Sequence, residues 1–546
     1  MTNKEYADIL LPNVLHDTKY YEEMYPERNL KEGAMVTRFA PSPTGFVHMG
    51  SLYASFSALQ LAKETGGICY LRIEDTDGKR TVENGVQGII DDFKSLNISF
   101  DEGEGFGGKY GPYIQSQRKD IYQAYAKKLI EEDLAYPCFQ TPEEIEEIRE
   151  YQRRKKLRIG LYKKYAKDRD LTREQVLNKI NNGEKYIICL KSPGNFENKV
   201  ILDDVIKGTI EMPENDIDEV LIKSDGLPTY HFAHVIDDHL MHTTHVTRGD
   251  EWVSSYPIHE QLFKVLGFKM PRYGHIAPIT IKEGETVRKL SKRKDKEAAI
   301  SYYMELGIPT EAIRLYLATI ENYDFEEWYS NNPTKSIDDF NFEFKKMPIG
   351  GTLFDIEKLM SISKIYFSRL KNTSLFEMLD KYTCTYDIEF NKIINENKEY
   401  TLNILNIERE IERPRKDIGS LSDVKKEFWY MFDYYFNTLN HDYEWQKIND
   451  LKDINLILNE YMNSYNDSDT QEEWFNKIKA ICDKLGYASN MKEYKNNPDN
   501  FKGNVADVSC VLRVALTKSS RTPDLYQIMH ILGSNKISER FALLNK

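Results

Sequence analysis

The sequence lacks paired cysteines. Its six cysteines (Cys69, Cys138, Cys189, Cys384, Cys482 and Cys510) are scattered and form no CxxC. That spacing argues against a disulfide framework and against a cysteine zinc centre. It fits a reducing cytoplasm, the expected location. No apolar run approaches the length of a membrane span, so no membrane partner is expected. The first residues, "MTNKEYADIL", have no apolar core and no small-residue cleavage site, so a signal peptide is not expected. Positive charge is not in excess either: the formal net charge is -13. An acidic total argues against a generally basic nucleic-acid binder. It leaves room for a local patch. Internal repeats and long low-complexity tracts are also absent.

What is present is a long chain with changing character. Its 546 residues exceed one ordinary core and imply roughly three to five structural units. Residues 1–33 are polar with two short apolar patches and read as a helical extension. "AMVTRFA" reads as a strand and "SLYASFSALQLAKETGG" as a helix stopped by Gly66 and Gly67. Residues 68–75 read as a second strand and 82–97 as a second helix. That order predicts a parallel, doubly wound sheet. Residues 116–136 read as one long helix with Ser116 as its cap. The basic run Tyr151–Arg169 is a candidate patch, but an isolated basic run reads first as a solvated helix surface. Residues 219–252 read as strand, turn, strand. "PIHEQLFKVLGF" reads as a helix ended by Gly267, and almost everything after residue 300 as helix.

Three segments carry chemistry. In "TRFAPSPTGFVHMGSLYAS", Pro41 and Pro43 stiffen a turn before a helix. A helix N-terminus attracts anions, phosphate above all. His48 and Gly50 form H-x-G at that entry, and Gly50 lets a ring or a phosphate lie close to the backbone. In "RKLSKRKD", Lys289, Ser291, Lys292 and Arg293 gather donors suited to a pyrophosphate leaving group. In "SDGLPTYHFAHVIDDHLMHTTHVTRGDEW", the histidine spacings match no standard zinc motif. Tyr230, Arg248, Asp250, Glu251 and Trp252 form a polar pocket edge there, with Arg248 able to clamp a carboxylate. Taken singly, each segment also reads as an ordinary turn or an exposed basic loop.

In combination and in this order, the segments resemble the bacterial-type glutamyl-tRNA synthetases, a family of class I aminoacyl-tRNA synthetases. "RFAPSPTGFVHMGS" looks like the signature around the HIGH motif, and "KLSKR" looks like the KMSKS motif. "LRIEDTD", "YGPYIQSQR" and "PIGGTLFDIEKL" also look like family segments. The resemblance runs from about residue 34 to the C-terminus and is densest at 35–120 and 220–370.

The resemblance implies an α/β fold: a Rossmann-type doubly wound catalytic domain with an insertion, then an all-α anticodon-binding half. Its boundaries would be 1–33 for the extension, 34–120 for the first catalytic half and 121–220 for the insertion. The second catalytic half would span 221–300, a stem-contact region 301–375 and the anticodon-binding region 376–546. It implies that Arg38, Ala40, Ser42, Glu74, Tyr230, His234, Arg248 and Trp252 surround the amino acid. Arg248 would hold the side-chain carboxylate and Glu74 the α-amino group. His48, Gly50, Glu251, Lys289, Ser291 and Lys292 would surround ATP, with His48, Lys289 and Lys292 acting in catalysis. Arg413 and Arg415 would reach the anticodon, or else cap a surface. The substrates implied are glutamate, ATP with Mg2+ and the tRNA for glutamate. Activation would need bound tRNA, and the chain would be a monomer. The alternative is a non-discriminating or glutamine-related ligase of the same class. Glutamine enzymes of this class usually carry a β-barrel C-terminal half, whereas this one reads as helices.

The chain departs from the family pattern in places. Ser51 stands at the second histidine of HIGH. "YPCFQT" offers Cys138 but Gln140 where some relatives carry a zinc-binding cysteine, so no zinc is expected. His234 stands where asparagine is expected, and an imidazole can titrate near neutral pH. The 1–33 extension is outside the common pattern.

Overall fold

A computed structural model describes residues 1–77, 82, 84–291 and 294–545. The chain forms two compact units: Met1–Ile300 with Arg314–Asp355, and Ser301–Ile313 with Ile356–Lys546.

The first unit is built on a parallel sheet. Val36–Phe39 pairs with Ile68–Leu71, which pairs with Glu102–Gly103. On the other side, Thr244 N donates to Val36 O at 2.9 Å and joins this sheet to His245–Gly249. That strand runs parallel to Arg272–Ile276, which in turn meets Lys199–Asp204. The crossover helix Met49–Thr65 buries Leu52, Tyr53, Phe56, Leu61 and Ala62. The buried Leu52, Phe56 and Leu61 side chains contribute roughly 1.5–3 kcal/mol each. Gly66, at φ 66°, ends the helix in the left-handed conformation that glycine adopts without cost.

Several local expectations are corrected. The ladder of the second strand stops at Leu71, because Ile73 N turns to Tyr113 O and Glu74 N to Pro41 O. The second helix is shorter than read, Gly85–Ser95. Ser116 caps nothing: its N and Oγ both donate to Asp75, at 2.8 and 2.5 Å. A 3-10 turn, Gln115–Arg118, precedes the helix Lys119–Glu131. Asp133, at φ 59°, then breaks the chain before the strand Ala135–Cys138. Residues 219–252 contain a helix, Tyr230–Leu240, between the strands Val220–Ile222 and His245–Gly249. Its buried Phe232, Val235, Ile236 and Leu240 follow a helical period that the many polar neighbours obscure.

The basic run is not one helix face. Pro142–Arg154 ends within it, and Arg158 pairs with Asp216 at 2.9 Å while stacking 3.7 Å from the centre of the Phe196 ring. Arg169 pairs with Asp218. Burying aspartates under these arginines neutralises part of the patch. Ala135–Cys138, Ile187–Leu190 and Val220–Ile222 form an antiparallel sheet.

The N-terminal extension is part of the core of the first unit. Its helices Asn3–Leu10 and Thr18–Met24 bury Ala7, Leu10 and Tyr21, and Leu11 and Tyr25 are buried beside them. Arg28 makes two bonds to Glu102, at 2.9 and 3.0 Å, and lies 3.8 Å from the centre of the Tyr110 ring.

The second unit is helical throughout and, among the described residues, contains no strand. Phe367, Leu379, Ile394, Leu458, Ile478 and Leu512 belong to its core. Trp474 Nε1 donates to the Tyr461 hydroxyl at 2.8 Å inside it. Among the described residues, no helix is long and apolar enough to cross a membrane.

Candidate active site

The proline turn is held from two sides. Pro41 O accepts from Glu74 N and Pro43 O from Val82 N, each at 3.0 Å. Gly85 is needed beneath it: a Cβ there would lie 2.7 Å from Pro43 O. His48 then caps the helix Met49–Thr65, its Nδ1 accepting from Ser51 N at 3.1 Å. A Cβ on Gly50 would come within 2.9 Å of His48 Cε1, so Gly50 makes room for this imidazole.

Behind the turn lies a cavity of about 280 Å³. Arg38, Ala40, Ser42, Glu74, Tyr230, Arg248 and Trp252 line it, together with Pro43, Thr44, Thr76 and Asp77. Thus all but one of the residues expected around the amino acid meet in one place. The exception is His234, which is fully buried behind the wall. Its Nδ1 lies 3.3 Å from Arg38 Nη2 and its Nε2 lies 2.8 Å from the Tyr273 hydroxyl. Burial, with Arg38 and Arg248 nearby, drives its pKa well below the usual imidazole range. His234 therefore does not titrate near neutrality, contrary to expectation.

A buried charge network supports the floor. Arg72 Nη1 donates to Asp238 at 2.7 Å and its Nη2 to Glu74 at 2.9 Å. Arg38 Nε lies 3.5 Å from the same Asp238. Arg118 Nε donates to Asp237 at 2.7 Å, and Gln115 and Tyr122 donate to the other oxygen of that carboxylate at 2.9 and 2.7 Å. Three guanidiniums thus face three carboxylates in a water-poor interior, the condition under which such charges are tolerated. Burial raises the Glu74 pKa, opposed by Arg72 and Arg38. The sequence reading missed Arg72, Asp237 and Asp238. Two consecutive acids inside the apolar helix "YHFAHVIDDHL" were the available signal, since buried carboxylates need partners.

Arg248 is held differently. Its Nε donates to His275 Nε2 at 2.9 Å and its Nη1 to His259 Nδ1 at 2.8 Å. Its Nη2 donates to Trp252 O at 3.2 Å. His275 Nδ1 lies 2.6 Å from Asp204 Oδ2, and His259 Nε2 lies 2.9 Å from His231 Nδ1. Among the described residues, no carboxylate pairs with Arg248. Burial and the Arg248 charge push His231 down to about 4. Burial and neighbouring His234 hold His259 well below its usual range. Burial lowers His275 too, against the pull of Asp204.

The residues expected around ATP lie on three segments of the same unit. Lys289 Nζ donates to Glu251 Oε1 at 3.1 Å, both side chains being largely exposed. Ser291 N donates to Asp295 at 2.8 Å, and Arg288 clamps that carboxylate with two bonds of 2.6 and 2.7 Å. These bonds, Arg288 first, hold the Asp295 pKa at about 2. His48 forms an antiparallel bridge with Ala299, just beyond this loop. Lys292 and Arg293 lie outside the described residues.

In the second unit Arg413 is exposed, whereas Arg415 pairs with Asp417 and Glu427 and lies 5.0 Å from the centre of the Phe428 ring. Among the described residues, no three His, Cys, Asp or Glu side chains are grouped to hold a metal. Cys138 Sγ lies 3.9 Å from Gln140 Oε1, both residues being buried.

Comparison with known proteins places the chain in a family. The family model of the class I tRNA synthetases (E and Q), catalytic domain, matches residues 34–358. A glutamate–tRNA ligase of Clostridium beijerinckii is 46% identical over 547 residues, covering 99% of each chain. One of Acetivibrio thermocellus is 44% identical and covers 100% of each chain. The crystal structure of a glutamate tRNA ligase from Elizabethkingia meningosepticum, in complex with its amino acid, superposes with a TM-score of 0.75 at 26% identity. It covers 94% of this chain and 99% of that one. Cavity, motifs and full-length similarity lead to one assignment: the chain belongs to the class I tRNA synthetases for glutamate and glutamine.

Proposed function

We propose that this chain is a glutamate–tRNA ligase, working on glutamate, ATP and the tRNA for glutamate. One observation carries the reading: a buried, fixed guanidinium, Arg248, lines the cavity with no carboxylate partner among the described residues. It is suited to a side-chain carboxylate, and a planar fork binds one with two parallel bonds. Glu74, on the same wall, suits the α-ammonium group. Arg38, Ala40, Ser42, Tyr230 and Trp252 complete the enclosure, with His234 fixing Arg38 from behind.

In the first step an α-carboxylate oxygen attacks the α-phosphorus of ATP. The new O–P bond replaces the bond to the bridging oxygen, and pyrophosphate leaves with its electrons. ATP arrives with Mg2+ on its phosphates, which supplies charge neutralisation there. His48 and Gly50 at the helix entry, with Glu251, Lys289, Ser291 and Lys292, hold the nucleotide. His48, Lys289 and Lys292 stabilise the charge that develops on the phosphates. In the second step a terminal ribose hydroxyl of the tRNA attacks the activated carbonyl, loses its proton and displaces AMP. Positioning and charge stabilisation supply the catalysis, with no covalent enzyme intermediate. Bound tRNA is required before glutamate is activated. Arg413, exposed in the helical unit, is the better placed of its two candidate anticodon contacts. All six cysteines are free, which suits the cytoplasm as the place of work.

Pyrophosphate exchange into ATP tests the first step. The purified chain should catalyse it with glutamate when tRNA is present, and not with tRNA omitted. Exchange supported by glutamine alone would contradict the assignment.

A further inference from the structure

The imidazoles around Arg248 are placed to do more than fill space. Arg248 carries five N–H donors. Three are used, on His275, His259 and the Trp252 carbonyl. One hydrogen remains on each terminal nitrogen, the number that the two oxygens of a carboxylate require. The acceptors on Arg248 also fix the proton positions. His275 Nε2 accepts, so its Nδ1 carries the hydrogen and donates to Asp204. His259 Nδ1 accepts, so its Nε2 donates to His231. Both rings are therefore neutral in this arrangement, because a doubly protonated imidazole has no acceptor.

The contrast with the neighbouring arginines is chemical. Arg38, Arg72 and Arg118 face carboxylates, and their charge is already balanced. A carboxylate on Arg248 would balance it too, and would repel an incoming carboxylate. An imidazole lone pair accepts the same N–H bond and brings no charge. Asp204 is set one ring away from Arg248, behind His275. The other groups facing these rings are Tyr230, His231 and His234 from the helix Tyr230–Leu240, Tyr256 from the helix of His259, Tyr273 beside His275, and Arg38 and Asp250.

We propose that His259 and His275 are positioning residues for substrate specificity: as neutral acceptors they orient Arg248 while leaving its charge uncompensated, so that the site takes a side-chain carboxylate and rejects the corresponding amide. An amide's carbonyl would accept one of the remaining N–H groups of Arg248, but its NH2 would face the other donor to donor, and a buried site with such a mismatch rejects the ligand strongly. This inference rests on the reading of Arg248 as the side-chain anchor.

Two sets of measurements test it on the full-length enzyme with tRNA bound. In pyrophosphate exchange, His259→Phe and His275→Phe should each raise KM for glutamate about tenfold or more, leave KM for ATP unchanged and shrink the preference for glutamate over glutamine. His259→Asn and His275→Asn, which restore an acceptor, should recover part of the loss. Unchanged KM and preference in both phenylalanine variants would overturn the inference. Arg248→Ala separates the two levels. If it leaves KM for glutamate unchanged, the anchor reading fails. If it raises KM while the histidine variants do not, only the present inference fails. Should the variants not fold, nitrogen-15 shifts of histidine-labelled wild-type protein at neutral pH decide. Neutral rings protonated on Nδ1 in His275 and on Nε2 in His259 support the inference, and an imidazolium at either position overturns it.

Discussion

Arg72 and Glu74 sit two residues apart and share a bond of 2.9 Å, both side chains buried, with Glu74 at the cavity wall. The pair sets how the site responds to acid. Burial raises the Glu74 pKa above its ordinary value of 4.5, despite Arg72 and Arg38. An α-ammonium group needs the carboxylate form. KM for glutamate should therefore rise on acidification, beginning at a higher pH than an ordinary glutamate would give. Glu74→Gln should raise KM about tenfold or more at neutral pH and remove that limb of the profile. A wild-type limb persisting in Glu74→Gln would refute the assignment.

His48 combines a cap with a place at the nucleotide end of the turn, and two substitutions separate these roles. His48→Ala loses the bond to Ser51 N and should cost about 1 kcal/mol of stability. His48→Asn keeps a capping acceptor and should leave the melting temperature near wild type. Both should slow adenylate formation about 10²-fold, the scale seen when one charge-stabilising donor is lost. Full single-turnover rates in His48→Asn would mean that the ring only caps.

The extension should behave as core. The Arg28–Glu102 pair is nearly buried, so Arg28→Ala removes the counter-charge of Glu102, leaves that carboxylate with the Tyr113 hydroxyl as donor, and loses the Tyr110 contact. Urea unfolding should show a loss of about 3 kcal/mol in the first unit. A loss under about 0.5 kcal/mol would indicate a loosely attached arm.

Acid should also unfold the first unit early. Burial first of all lowers both His231 and His245 to about 4, from an ordinary value of 6.5. The folded state then binds fewer protons than the unfolded state. Stability is unaffected above about pH 6.5, falls as pH drops towards 4, and the loss is complete below that. Melting temperatures recorded from pH 7.5 to 4 should fall across this window, and less steeply in His245→Gln. A flat profile would contradict the burial assigned to these rings.

The short motifs made much of the cavity legible in the sequence, because Arg38, Ala40 and Ser42 lie close together on one strand end and its turn, and Arg248 and Trp252 on another strand end and the 3-10 turn after it. The cradle around Arg248 was not legible. Asp204, His231, His259 and His275 come from separate segments; the parallel register sets His275 beside Arg248, and tertiary packing brings the others to them. The helix Tyr230–Leu240 read as strands because His231, His234, Asp237 and Asp238 interrupt its apolar stripe. His234, Asp237 and Asp238 are buried because they face arginines on other elements, which local patterning does not reveal. Ser116 looked like a cap from its position alone, and its hydroxyl goes instead to Asp75, 41 residues away.

The most direct test of the central claim is charging of purified tRNAs for glutamate and for glutamine, each with labelled glutamate and labelled glutamine. The prediction is efficient esterification of the glutamate tRNA with glutamate and none with glutamine on either tRNA. Glutamate appearing on both tRNAs would keep the chemistry and remove the tRNA selectivity. Efficient glutamine transfer with no glutamate transfer would contradict the account.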